Sequence, residues 1–395
     1  MAASVAIIGG GAAGFFLAVA LKEACSDCSV TILERSQRTL AKVELSGGGR
    51  CNLTNTFRAV SDLRHVYPRG HRLMKRLLRA FSHDDACRWF ERHGVALVAQ
   101  DDDCIFPVSQ DAHSISDCLR QYAQRLGVTV RTGVVVDDVK ALLSHYDSVC
   151  VATGGRPQSS AYDWLRRAGC RIIDPVPSLF SLSIDHEPLR QLMGTVVPQA
   201  QLAIPATSLR AEGTLLITHW GISGPAVLRL SSYAARPLAE QAYRAPLVVN
   251  WAACSEQVAI DELSAVATAH PQKLLTSVRP FDMTSRLWTY LAERAVPSAA
   301  AKRWAELGRK DFNRLVATLT ADLYSIAGRA PFRDEFVTCG GVALDDVFPN
   351  TLESRSVPGL FFAGEVLDID AVTGGFNLQA AWTTAYTVAQ AIAQR

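Results

Sequence analysis

The sequence predicts an α/β fold built on a parallel sheet that holds a dinucleotide, and three stretches carry that expectation. The first is an N-terminal strand, glycine turn and helix, closed by a second strand that ends in an acid. The second is a C-terminal apolar strand running into Gly364-Glu365, with Gly374-Gly375 and a helix after it. Between them, from Val176 onward, short alternating strands replace helical periodicity and mark a separate all-β region.

The N-terminal unit reads Val5-Ala6-Ile7-Ile8, then Gly9-Gly10-Gly11-Ala12-Ala13-Gly14, then an apolar run from Phe15 to Leu21, then Val30 to Arg35. Gly9, Gly11 and Gly14 match G-x-G-x-x-G, in the strand–turn–helix setting that gives the motif its meaning. The first glycine allows the tight turn, the second lets backbone approach a pyrophosphate, and the third lets helix and strand pack closely. Phosphates then face free N–H groups at a helix N-terminus, where the dipole favours negative charge. Gly9, Gly11, Ala12, Ala13 and Gly14 are therefore candidate contacts. Glu34 can accept hydrogen bonds from ribose hydroxyls, with Arg35 beside it. This unit alone does not say which dinucleotide is bound.

Lys42 follows, then Ser46-Gly47-Gly48-Gly49-Arg50-Cys51-Asn52-Leu53-Thr54-Asn55. Three glycines before small polar residues suit a loop whose N–H groups face an anion or a flat ring. Arg50 can neutralise phosphate, and Asn52, Thr54 and Asn55 can bond to ring heteroatoms or to the chain itself.

These blocks, with Thr218-His219-Trp220-Gly221-Ile222-Ser223-Gly224-Pro225, Thr338-Cys339-Gly340-Gly341-Val342, Gly364-Glu365-Val366-Leu367-Asp368 and Thr373-Gly374-Gly375-Phe376-Asn377, resemble the BaiN/YhiN-like (aminoacetone-oxidase-like) flavoproteins. The resemblance spans the chain in the family's order. It implies FAD and a glutathione-reductase-like Rossmann FAD-binding domain split in sequence (1–178 and 333–395). A β-barrel (179–255 and 316–332) and a helical piece (256–315) are inserted. It also implies that Val134 or Val135 holds the adenine and that Thr153-Gly154-Gly155 ends the strand passing beside the cofactor. Glu365 then faces the ribityl and pyrophosphate, and the N–H groups of Gly375, Phe376 and Asn377 face the pyrimidine edge of the flavin. Two departures from commoner members, a short link from Val136 to Asp147 and Pro157 to Tyr162 in place of a glycine-rich segment, leave the substrate unassigned.

In order, the remaining patterns predict a basic helix within Arg64–Arg79, a helix from Asp84 to His93 and a hairpin of Val95–Val98 with Ile105–Pro107. A helix from Ser114 to Gly127, strands at Val128–Arg131 and Val134–Val136, and a buried strand ending at Thr153 follow. Gln201–Ile204, Leu215–Thr218 and Leu247–Trp251 are barrel strands, broken by a short helix after Pro225. Asp261–Ala269, Thr284–Ala295 and Ser298–Leu307 are helices, and Leu315 to Ala327 leads back through a strand to Phe336-Val337-Thr338.

The composition is that of a globular protein, 49% hydrophobic and 20% charged over 395 residues, with a net charge of +2. That balance argues neither for a nucleic-acid nor for a membrane surface, and the basic stretch keeps an RNA partner as a second reading. No export signal or membrane-spanning run is visible, so the expected location is cytoplasmic and the ten cysteines are expected to be reduced, Cys25 and Cys28 included. The histidines and cysteines lack metal-ligand spacing, so no metal is expected. His219 is the candidate general acid or base, because imidazole titrates near neutrality. Cys51 and Cys339 are expected near the cofactor. The expected activity is hydride transfer between a small organic substrate and flavin N5, with transient NAD(P)H or O2 as electron partner and the oligomeric state left open. The alternatives are an FAD-dependent RNA-modifying or RNA-binding protein and a flavin-binding sensor or structural protein without turnover.

Overall fold

The computed structural model describes residues 3–330 and 337–395. The chain forms two compact units, Met1–Pro177 with Val337–Arg395, and Ser178–Phe336. The expected domain boundary at 332/333, and Phe336 of the returning strand, lie outside the described residues.

In the first unit, β1 (Ser4–Ile8), α1 (Ala12–Ala24) and β2 (Ser29–Glu34) form the expected βαβ unit, with Ser4 opposite Ser29 and Ile8 opposite Leu33 in parallel register. Every residue of α1 from Ala13 to Leu21 is buried, as a helix that is apolar all round requires. After α2 (Ala41–Gly49), β3 (Thr54–Asn55), β4 (Leu97–Ala99) and β5 (Cys104–Pro107) make a small antiparallel sheet in the order β3-β5-β4, with α3 (His71–Leu77) and α4 (His83–Arg92) in the connection. Next come α5 (His113–Arg125), β6 (Thr129–Thr132), α6 (Val139–Leu143), β7 (Ser148–Val151), α7 (Asp163–Ala168) and β8 (Ile172–Ser178).

The second unit contains β9 (Leu182–Ile184), α8 (Glu187–Arg190), β10 (Val196–Ala203), β11 (Arg210–Thr218), β12 (Gly221–Ser223), α9 (Pro225–Tyr233), α10 (Ala235–Glu240) and β13 (Ala245–Asn250). It continues with α11 (Glu256–Ala269), α12 (Ser285–Ala295), α13 (Arg309–Ala321) and β14 (Asp322–Arg329). Its strands close into an antiparallel barrel in the order β10-β11-β12-β9-β14-β13. One apolar core joins barrel residues such as Leu202, Ile217 and Leu247 to Leu263, Trp288 and Leu315 on the helices.

The chain then returns to the first unit. Here β15 (Val337–Val342) pairs with β8, β16 (Leu360–Phe362) joins the main sheet, and α14 (Phe376–Ala393) closes the chain against α1. The main sheet runs β16-β7-β1-β2-β6, parallel throughout. The split α/β fold with a closed barrel is as the sequence predicts.

Four expectations are corrected. Val134–Val136 is not a strand: β6 ends at Thr132, because the next residue, Gly133, has a φ of +71° that leaves the extended region, and Val134 N–H donates back to Glu34 O at 2.9 Å. Ser298–Leu307 is two 3₁₀ turns, Ala299–Ala301 and Trp304–Glu306, because Ser298 sits left-handed (φ +64°) just after Pro297. The basic stretch breaks at Pro68-Arg69-Gly70 into a 3₁₀ turn, Leu63–His65, and α3. Cys25 and Cys28 are disulfide-bonded, because the turn after α1 brings their Cα atoms to 5.6 Å.

Trp382 shows how α14 is held. It is fully buried, with Phe16 and Phe90 at centroid distances of 5.4 and 5.3 Å, and its indole N–H donates to Leu53 O at 3.0 Å. Trp382→Ala should cost about 3–5 kcal/mol in denaturant titration, and a loss below about 1 kcal/mol would refute this packing. A second test concerns Glu44, buried between Arg120 (2.7 Å) and Arg38 (2.5 Å). Burial pushes its carboxyl up, but the two guanidinium groups more than offset this and hold it below the ordinary range. The resulting stability is fully present above the unfolded carboxylate value of about 4.3 and is lost as pH falls through the lower folded value. Glu44→Gln should therefore lower the urea midpoint at neutral pH and flatten its acid dependence; an unchanged profile would contradict the pairing.

Candidate functional site

Because every strand of the main sheet is parallel, the turns after β1, β2, β7 and β16 lie at one edge, where ligands bind in open α/β sheets. Gly9 N–H donates to Leu33 O (2.8 Å), Ala152 N–H to Ile8 O (2.8 Å) and Ala363 N–H to Val151 O (3.0 Å), so the ladder holds these turns side by side. Gly9 to Gly14, Glu34 with Arg35, Thr153 to Gly155 and Gly364 with Glu365 are thereby brought together.

The three fingerprint glycines differ physically. A Cβ on Gly14 would lie 2.0 Å from Gly9 O, and one on Gly9 would lie 2.4 Å from Ala152 O, so packing demands glycine at both. Gly11 is the N-cap of α1 with an ordinary extended backbone, and a Cβ there meets nothing within 4 Å. Nothing in the chain requires glycine at that position. The opening lies in front of the first N–H groups of α1, beside Ala12 and Ala13, which is the cradle a pyrophosphate needs. Glu34 accepts hydrogen bonds from Gly10 N–H and Ser36 N–H, each at 2.7 Å, which fixes its carboxylate at the end of β2.

The Ser46–Asn55 segment is only partly a loop. Helix α2 kinks where Ser46 turns extended and Gly47 and Gly48 adopt positive φ, and Thr54-Asn55 is β3. Gly47 to Arg50 are exposed, and the Arg50 guanidinium stacks 4.4 Å from the Phe106 ring. Cys51 is fully buried, with its thiol pushed up to about 12 by burial, so at neutral pH it is a packing group and not a thiolate. Cys339 is likewise fully buried, on β15.

The C-terminal block docks onto that segment. A Cβ on Gly375 would lie 2.3 Å from Thr54 O, and Asn55 Nδ2 donates to Gly374 O at 3.1 Å. With its amide turned to match its neighbours, Asn52 accepts from Gly375 N–H (3.2 Å) and donates to Thr54 O (2.9 Å). Asn377 accepts from Ala371 N–H (2.9 Å) and donates to Ala371 O (3.0 Å), folding the turn ahead of α14 back on the helix. Glu365 accepts from Thr338 N–H (2.9 Å) and pairs with Lys42 (3.2 Å), next to Gly154 and Gly155.

Two expected contacts sit differently. Val135 lies in the extended stretch after β6 with its side chain 69% exposed, and Val134 beside it is half-buried. His219 belongs to the second unit, exposed at the β11–β12 turn with its ring 4.3 Å from that of Trp220. Gln379 and Glu44 carry no signal in the sequence. Their motif neighbours drew attention, whereas a lone buried polar residue carries no spacing signal. Thr54 donates to Gln379 at 2.6 Å, and Gln379 to Thr383 at 2.9 Å, fastening α14 to β3 from inside. Among the described residues no His/Cys/Asp/Glu group could hold a metal ion, and no helix is long and apolar enough to cross a membrane.

The HI0933-like protein Rossmann domain family model matches residues 3–391. A 3-dehydro-bile acid delta(4,6)-reductase of Clostridium scindens is 29% identical over 99% of both chains. A ribosomal RNA dihydrouridine synthase of Escherichia coli is 29% identical over 97% of this chain and 96% of its own. Among solved structures, a 3-ketosteroid delta1-dehydrogenase of Sterolibacterium denitrificans is 11% identical, covers 99% of both chains and has a TM-score of 0.49.

Proposed function

The chain belongs to the HI0933-like family, the BaiN/YhiN-like FAD-dependent Rossmann oxidoreductases, and from that premise we propose that it reduces a carbon–carbon double bond conjugated to a carbonyl. The observation that carries the cofactor assignment is the cradle at Gly11, a glycine that the protein's own packing does not need, facing the start of α1. FAD would supply hydride chemistry at its N5 position.

The chain's residues divide the holding tasks. Gly11, Ala12, Ala13 and Gly14 present N–H groups to the pyrophosphate. Glu34, with Arg35, receives the ribose hydroxyls, and the backbone at Val134 and Val135 receives the adenine. Lys42, Ser46 to Asn55, Thr153 to Gly155 and Gly364 with Glu365 line the remainder. Gly374, Gly375, Phe376 and Asn377 lead into α14, an 18-residue helix whose N-terminal dipole favours negative charge beside it.

The substrate class draws support from the two relatives, whose names both denote reduction of a carbon–carbon double bond. Conjugation to a carbonyl makes such a bond accept hydride at the β-carbon, with charge spreading onto oxygen and a proton completing the α-carbon. A general acid supplies that proton, and His219 is proposed for the role. NAD(P)H is the proposed reductant.

One observation favours a second substrate within this chemistry, a uracil ring in RNA. Arg72, Lys75, Arg76 and Arg79 are exposed on and just after α3, opposite buried Leu73, Met74 and Leu77, and so form a basic face.

The purified protein should be yellow, release FAD on denaturation and, once reduced, be reoxidised by small enones in a panel of acceptors that also holds saturated ketones and a uridine-containing RNA, with amines tested separately as donors to the oxidised flavin. Reoxidation by saturated ketones alone, or reduction of the oxidised flavin by amines without any reoxidation by enones, would contradict the proposal. Reoxidation by RNA alone, with binding that weakens steeply with salt, would select the second substrate.

A further inference from the structure

The segment Val66–Gly70 grips the turn ahead of α14 by four separate contacts. Val372 N–H donates to Val66 O at 2.9 Å, and Arg69 forms a β-bridge with Asp370. The Arg69 guanidinium also grips the Asp370 carboxylate with two nitrogens, Nε at 2.6 Å from Oδ1 and Nη2 on Oδ2. The Tyr67 hydroxyl, on a fully buried ring, donates to Phe376 O at 2.8 Å. Asp370 is itself fully buried, and the guanidinium offsets the cost of holding its charge there.

We propose that Tyr67 and Arg69 are positioning residues for the flavin, setting the direction and donor strength of the N–H groups at the start of α14. The inference rests on the FAD reading above. A hydroxyl donating to the Phe376 carbonyl polarises the 376–377 peptide, and hydrogen bonds in such a chain strengthen one another. The Asn377 N–H thereby becomes a stronger donor without Tyr67 touching the ligand. Arg69 acts differently. It anchors Asp370 while the Asn377 side chain folds Ala371 back, so the turn is braced at both ends. Neither residue belongs to a glycine motif.

The test uses Tyr67→Phe, which keeps the ring and removes one hydroxyl, together with Arg69→Ala and Arg69→Lys. Each variant is purified as the holoenzyme, and FAD affinity and flavin midpoint potential are measured at full FAD occupancy. Tyr67→Phe should weaken FAD binding about threefold to tenfold, the range of one lost hydrogen bond. It should also move the potential to more negative values, because negative charge on the reduced flavin is less well met. Arg69→Ala should weaken FAD binding by more than tenfold and Arg69→Lys by less, since lysine keeps the charge without the fork. If Tyr67→Phe folds, holds FAD with wild-type affinity and keeps the wild-type potential, the positioning role is overturned, whatever Arg69→Ala does. If the wild-type protein itself takes up no FAD, the cofactor reading fails instead.

Discussion

The contact on which the first unit depends is the approach of α1 to β1 at Gly14, where a single added carbon would sit 2.0 Å from Gly9 O. That closeness aims the first N–H groups of α1 over the end of β1. It also sets the seat for α14, since Gly364 brings β16's turn so near α1 that a Cβ there would lie 2.9 Å from Ala13 Cβ. A helix displaced by one methyl group would shift both N-termini and the strand ends between them, because close-packed interiors transmit strain.

Polar groups buried along α14 then fix its azimuth. Gly364 N–H donates to the Thr384 hydroxyl (2.8 Å), Thr383 donates to Phe81 O (3.0 Å) and Trp382 to Leu53 O (3.0 Å). Each bond runs to a different part of the unit, so rotation of the helix would break them together and leave several buried groups unsatisfied. The α14 N-terminus is therefore rigid before any ligand arrives, and Tyr67 and Arg69 extend that bracing into the turn ahead of it. Such pre-organisation lowers the ordering cost of binding.

The βαβ unit, the returning strand and the barrel strands were legible because each has a period or a glycine spacing that few other structures produce. The spacing of the C-x-x-C turn does not by itself distinguish thiols from a disulfide, whereas the local geometry after α1 decides the bond. Ser298–Leu307 has helix-forming residues, yet Pro297 and a left-handed Ser298 break it locally. Arg69 and Asp370 lie about three hundred positions apart, and no pattern in either neighbourhood announces the pair. Tyr67 was invisible for the same reason: its partner is a main-chain carbonyl, to which any residue could contribute.

With FAD bound as proposed, Gly11 is glycine for a ligand's sake and not for the fold's. Gly11→Val isolates that role, since the position has an extended backbone that β-branched residues favour and open space for the side chain. The measurement is flavin content and denaturant midpoint, compared between the FAD-free forms of variant and wild type. The expected result is a midpoint lowered by no more than corresponds to the ~1 kcal/mol by which glycine exceeds valine at an N-cap, and a colourless variant that no longer retains FAD. A variant that keeps stoichiometric FAD, or that unfolds while the FAD-free wild type does not, would contradict it.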